Sequence, residues 1–163
     1  MSEHAEIDIE LEDDVDTQKD KYLTFHIAEE EYGIAISYVT EIIGMQKFTE
    51  VPETPSYIKG VINLRGKVIP IMDIRLRFSM IEKDYDERTC VIVVNFENTA
   101  VGLVVDTVSE VVDIPASSIE ASPNFNTDQG HFVEGMGKIE EKIKMLLDIK
   151  SLLYDDENMP TEA

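Results

Sequence analysis

Chemistry in this chain would have to come from a short set of side chains. Asp73, Asp106, Asp113 and Asp148 sit among apolar residues, where burial can shift a carboxyl pKa and equip it for proton transfer. Asp73 and Asp148, however, each stand before a short apolar run and read as helix caps. Asp106 reads as a turn or edge residue. Cys90 opens a valine-rich run and reads as a small core residue. His26 falls on the polar side of an alternating segment, and His131 follows Gly130. Neither has an acid and a nucleophile arranged as in a catalytic triad. With three histidines and one cysteine, almost nothing is left for a zinc site. There is no phosphate-cradling Gly-Lys-Ser/Thr loop and no dinucleotide fingerprint. No catalytic residue, metal or cofactor is assigned, and a small hydrolase using the acids is kept as the alternative.

Binding is the better-supported chemistry. Val39-Thr40-Glu41-Ile42-Ile43 and Gly60-Val61-Ile62-Asn63-Leu64-Arg65-Gly66 form the most suggestive constellation. Arg65 at a hairpin tip is far from a core position. Its planar fork suits a carboxylate, so pairing with Glu41 would place a polar rim beside apolar Val39 and Ile43. An ordinary surface ion pair would look the same in sequence.

These residues need strands to hold them. Leu23, Phe25 and Ile27 alternate with polar neighbours, and Tyr32–Ile36 reads as a second strand. Val61–Leu64 and Lys67–Met72 flank Arg65-Gly66 as a hairpin. Pro70, with no amide proton, places its strand at an edge there. Asp73 caps a helical turn over Ile74–Phe78. Cys90–Phe96 and Ala100–Val105 follow as buried strands. Pro52 and Pro55 mark one long loop, and Ser122-Pro123-Asn124 marks another. Lys138–Leu147 has helical spacing in Ile139, Ile143, Leu146 and Leu147, but a repeat argues otherwise.

Shifted by 75 residues, Tyr57–Phe78 lies over Phe132–Leu153 without a gap: Gly60 meets Gly135, Asp73 meets Asp148 and Ile71 meets Leu146. Shifted by 69, Phe25–Ile43 lies over Val94–Val112, with Gly33 on Gly102 and Glu41 on Glu110. The counterpart of 138–147 contains Gly66 and Pro70, which oppose a helix, so both segments are expected to be hairpins. Each copy has about five short strands and a closing helical turn. So small a sheet hides its edges by closing and packing on its twin. The fold class expected is all-β with a few short helical turns. Shared features serve architecture; Asn63, Arg65 and Gly66 occur in the first copy alone and are free to serve a partner.

The chain of 163 residues carries 34 acids and 14 bases, a net charge of −20. Residues 1–20 hold nine acids and one lysine, and 154–163 hold four acids and no base. Both ends are expected to be disordered acidic tails. So strong a polyanion disfavours nucleic acid and anionic membrane as partners. Lys59, Arg65, Lys67, Arg75 and Arg77 form a local basic stretch. A lone cysteine suits a reducing compartment, and no apolar run approaches a membrane span, so the cytosol is expected.

The run Tyr57-Ile58-Lys59-Gly60-Val61-Ile62-Asn63-Leu64-Arg65-Gly66-Lys67-Val68-Ile69-Pro70-Ile71-Met72-Asp73-Ile74-Arg75 closely resembles the signature of the CheW family of bacterial chemotaxis coupling proteins. Glu31-Tyr32-Gly33-Ile34, Val39-Thr40-Glu41-Ile42 and Val104-Val105-Asp106 add to the resemblance, which spans about residues 21–154. Ala28-Glu29 departs from it, standing where family members often carry a glycine-containing turn. The resemblance implies two tandem SH3-like five-stranded β-barrels packed together, at 21–88 and 89–154, with exchange of strands allowed. It implies an adaptor without catalysis that joins the chemoreceptor cytoplasmic tip to the regulatory domain of the histidine kinase CheA. Monomeric alone, such a protein would enter membrane-bound receptor arrays through those partners. Carried over by position, the partner-binding residues are Ile36, Val39, Glu41, Ile43, Gly60 and Arg65, with Val108 and Val111 of the second copy.

Overall fold

The computed structural model describes residues 18–121 and 128–154. The expectations for 1–17, for 155–163 and for Ser122-Pro123-Asn124 lie outside these residues. Residues 18–20 already form a turn, and the Ile114 N–H donates to the Asp20 carbonyl at 2.8 Å.

Strands β1 (Lys21–Ile27) and β2 (Glu30–Ala35) make the first hairpin. A single 3-10 turn at Ile36–Tyr38 leads to β3 (Val39–Gly44), β4 (Ile58–Leu64), β5 (Lys67–Asp73) and the short helix α1 (Ile74–Arg77). The second series is β6 (Cys90–Phe96), β7 (Thr99–Val105), β8 (Thr107–Asp113), β9 (Ile119–Ala121), α2 (Asp128–His131), β10 (Val133–Ile139), β11 (Lys142–Leu147) and α3 (Ile149–Tyr154). The 138–147 segment is therefore a hairpin, turned at Glu140 with φ 57°. Asp73 caps α1 by accepting from the Leu76 N–H.

Two sheets result, in the orders β8-β1-β2-β11-β10-β9 and β3-β6-β7-β5-β4. Under the repeat, β1 to β5 correspond to β6, β7, β8, β10 and β11, so the orders agree except for the added β9. Each half has given its first hairpin to the other. The registers agree as well: Leu146 lies opposite Gly33 in one parallel junction, and Ile71 opposite Gly102 in the other. Bulges fall at matching places, Ile58/Gly60 and Val133/Gly135.

The expected boundary between residues 88 and 89 thus does not divide the sheets. The physical reason is link length. In a sheet ordered β8-β6-β7, β7 and β8 would both run antiparallel to β6, so the end of β7 and the start of β8 would lie a strand length apart. A seven-residue strand spans about 23 Å, whereas one residue reaches about 3.5 Å. Only Asp106 joins β7 to β8, and only Ile36–Tyr38 join β2 to β3. The chain must cross to the other sheet at both links.

Between the sheets lies the central core, built from Leu23, Phe25, Ile27, Ile92, Leu103 and Leu152 among others. An aromatic series runs through it, with Tyr32–Phe78 centroids 5.3 Å apart and Phe78–Phe132 5.9 Å apart. The β3 sheet encloses a second, apolar cluster of Ile62, Ile69, Ile71, Val91, Val93 and Val104. Burying each such side chain contributes about 1.5–3 kcal/mol. The same repeat positions in the β1 sheet are Gly137, Lys144, Leu146, Tyr22, Thr24 and Ala35. That interior is partly polar: Lys144 donates to Glu31 at 2.6 Å, and Ile114 packs where a Gly137 side chain would sit.

The edge position expected at Pro70 holds locally, though not for the whole strand. β5 is an inner strand between β4 and β7. Its ladder with β7 begins at Ile71, one residue past Pro70, so the proline ring removes no bond from that ladder.

Candidate partner-binding surface

Arg65-Gly66 forms the tip of the β4–β5 hairpin, with φ of 54° and 83°. Two positive φ values define the primed turn that matches strand twist. Gly66 adopts this freely, and its N–H donates to Asn63 Oδ1 at 2.9 Å. The turn points the Arg65 guanidinium, 68% exposed, at the Glu41 carboxylate of β3, to which it donates a hydrogen bond. That hydrogen bond and the Glu41 charge raise the guanidinium pKa. β3 and β4 are opposite edges of the hydrogen-bonded order, so the pair closes the sheet across its seam. Thr49 closes the seam further along, exchanging backbone hydrogen bonds with Val61 at 2.9 and 2.8 Å.

The other expected residues fall into distinct places. Ile36 and Val39 are half-buried against the central core, and Ile43 is half-buried against the inner cluster of the β3 sheet. Gly60 is buried, and a Cβ there would lie 2.3 Å from the Thr49 carbonyl oxygen, so it shapes the strand beneath the surface. Val108 and Val111 lie on β8 in the other sheet, Val108 half-buried against the central core and Val111 exposed. They belong to a different sheet from Arg65.

Two features were missed in sequence. Ile42, 44% exposed, is the outward apolar residue of β3, because strand alternation turns Val39, Glu41 and Ile43 the other way. That alternation was readable. A ledge of rings, half-buried Tyr38 and Phe96 at 5.8 Å and Phe96 with exposed Tyr154 at 5.9 Å, was not, since it joins a turn, a strand end and a helix end.

The basic stretch does not form one basic surface. Arg77 is buried, donating to the Leu152 and Ser151 carbonyls and lying over the Tyr57 and Phe132 rings. Arg75 pairs with Asp106, and Lys59 pairs with Glu82. Positions spaced in one stretch point to different faces once strand and helical turn alternate.

The acids serve structure. Asp73 accepts from the Leu76 N–H and from Tyr85 Oη at 2.6 Å; burial and Asp73 push the Tyr85 phenol pKa upward. Asp148 accepts from the Lys150 N–H and from Ser151 Oγ. Asp113 pairs with Lys21 at 2.9 Å. Asp106 accepts from Arg75 Nε and Nη2 at 3.0 and 2.7 Å and from the Ala28 N–H at 2.8 Å. That last bond holds the Ala28-Glu29 turn without a glycine, with Ala28 at φ 57°. Burial raises the Asp106 pKa, but Arg75 and the Ala28 amide outweigh it and hold the carboxyl below its usual range. His26 contacts Ser109 Oγ at 3.0 Å, His131 packs edge-on to Phe132, and Cys90 is half-buried. The hydrolase alternative finds no support. Among the described residues no cluster of His, Cys, Asp and Glu could hold a metal, and no helix is long and apolar enough to cross a membrane.

Comparison with known proteins matches the geometry. The family model described as CheW-like domain matches residues 21–157. Chemotaxis protein CheW of Klebsiella aerogenes is 42% identical over 143 residues, covering 87% of this chain and 86% of that one. The CheW of Bacillus subtilis is 33% identical over 135 residues, covering 82% and 86%. The crystal structure of the scaffolding protein TtCheW from Thermoanaerobacter tengcongensis superposes with a TM-score of 0.78 at 36% identity, covering 84% of this chain and 94% of that chain.

Proposed function

The chain belongs to the CheW family and is a chemotaxis coupling protein with the family's paired SH3-like architecture, and from that premise we propose that it joins the chemoreceptor cytoplasmic tip to the regulatory domain of CheA without catalysing a reaction. The observation that supports this most is the Arg65–Glu41 pair. It is an oriented charge pair, its Arg65 exposed and carried by the first repeat alone, at a hairpin tip that reaches β3, the strand of exposed Ile42. Exposed Ile42 and the edges of Ile36 and Val39 offer apolar area to a receptor helix, while Glu41 and Arg65 set orientation more than affinity. Gly60 acts from beneath by keeping Thr49 close. Val108 and Val111 on the other sheet belong to a second contact, so one chain can hold two partners at once. Each contact is weak, with Kd on the order of micromolar (about −8 kcal/mol), and many such links assemble an array. The chain works in the cytosol, drawn to membrane-bound receptor clusters by its partners.

Titration of the purified chain with a receptor-tip fragment and, separately, with the CheA regulatory domain tests this at varied salt. Binding of both, weakened by salt, is expected. Binding of neither overturns the reading.

A further inference from the structure

The short links force the β1–β2 hairpin to leave its own half, but they leave its destination open. It can enter the unlike half of its own chain. It can equally enter the like half of a second copy, because both receiving sheets offer the same strand order and the same parallel register. Exchange between identical halves is a familiar route to dimers.

One pair of positions distinguishes the two destinations by charge. Where β2 meets β11, Lys144 Nζ donates to Glu31 Oε1 at 2.6 Å, with side chains 6% and 15% exposed. Where β7 meets β5, the same repeat positions hold Ala100 and Ile69, packed in an apolar cluster. Exchange of like halves between two chains would place Glu31 beside Ile69 and Ala100 beside Lys144. Buried Lys144 and partly buried Glu31 would then each lose the opposite charge, an arrangement proteins strongly avoid. His26 Nε2, 3.9 Å from Glu31, is too distant to replace the lysine ammonium with a hydrogen bond. Gly33 and Gly102 at the paired junction positions are identical, and their partners Leu146 and Ile71 are both apolar, so neither discriminates by charge.

We propose that the Glu31–Lys144 pair is a specificity determinant: it directs the first hairpin into an unlike half and keeps it out of the like half of a second copy. This stands apart from the adaptor reading and holds or fails without it. A single buried charge pair fixing which strands associate has precedent in the way buried polar groups set register and oligomer state.

The full-length chain carries the test, refolded from urea and sized in solution beside the wild type. Lys144→Glu and Glu31→Lys each set like charges at the junction, and each alone is expected to lose most of its monomer. The double variant restores an opposite pair within one chain and is expected to regain the monomer. Refolding the two single variants together restores opposite pairs only between chains, and a one-to-one dimer is expected. Monomer from either single variant at the wild-type yield overturns the proposal. So does the absence of the mixed dimer when the double variant folds. If the double variant does not fold, Glu31→Ala with Lys144→Ile decides, since it copies the Ala100/Ile69 pair. A dimer fraction rising with protein concentration during refolding is then expected, and monomer at every concentration overturns the proposal.

Discussion

Arg65 and Gly60 show two ways in which one residue serves a surface. Arg65 projects into solvent and is held by Glu41 alone, so Arg65→Glu should leave the circular dichroism spectrum unchanged. It should also abolish receptor-dependent control of CheA, because the new carboxylate repels Glu41 and reverses the sign of the rim. Coupling at the wild-type level would remove Arg65 from the interface. Gly60 acts by being small. Gly60→Ala puts a methyl 2.3 Å from a backbone oxygen and should cost about 3 kcal/mol, read as a lower urea midpoint. Gly135→Ala should cost less, since its new methyl meets the Ile119 side chain at 2.9 Å and the Glu120 carbonyl oxygen at 3.3 Å, both farther than the Thr49 oxygen is from a Cβ at Gly60. Equal midpoints would contradict the geometry.

At the scale of elements, two charged side chains hold connections in place. Asp106 ties the β7–β8 link to α1 through Arg75 and to the β1–β2 turn through the Ala28 amide. Its folded pKa is depressed, so the stabilisation is present above the ordinary carboxylate range, about pH 4, and is lost as pH falls through the folded value. Below both values the folded and unfolded states bind the proton alike and nothing remains. Asp106→Asn should therefore lower stability at pH 7 and flatten the acid limb of the urea midpoint against pH; an unchanged limb would refute this. Arg77 holds α3 to α1 by donating to the carbonyls of Ser151 and Leu152. Arg77→Met should cost about 2–4 kcal/mol and speed hydrogen exchange over residues 149–154 more than elsewhere.

At the scale of the molecule, hairpin exchange makes the two sheets one mechanical body. Neither sheet can open without removing strands that continue into the other, so thermal unfolding should be one transition by both circular dichroism and tyrosine fluorescence. Two separated transitions would show that the halves are independent. For a coupling protein this unity keeps the β3 and β8 faces at a fixed relation. Much of it was legible along the chain. The 75-residue and 69-residue offsets established two like halves, the glycine and proline in one copy ruled out a helix in the other, and the motif around Arg65 pointed to the family. Those signals are local, set by periodicity, turn chemistry and residue identity. The sequence by itself determined most of the strands, the repeat, the cap at Asp73 and the hairpin tip that carries Arg65. Only the tertiary structure decided which half receives each hairpin, that Glu41 meets Arg65 across a closed seam, and that Tyr38, Phe96 and Tyr154 meet in one ledge. These depend on contacts between residues far apart in the chain, where link length, closure of the sheet and the pairing of buried charge act together, and no single stretch of sequence contains them.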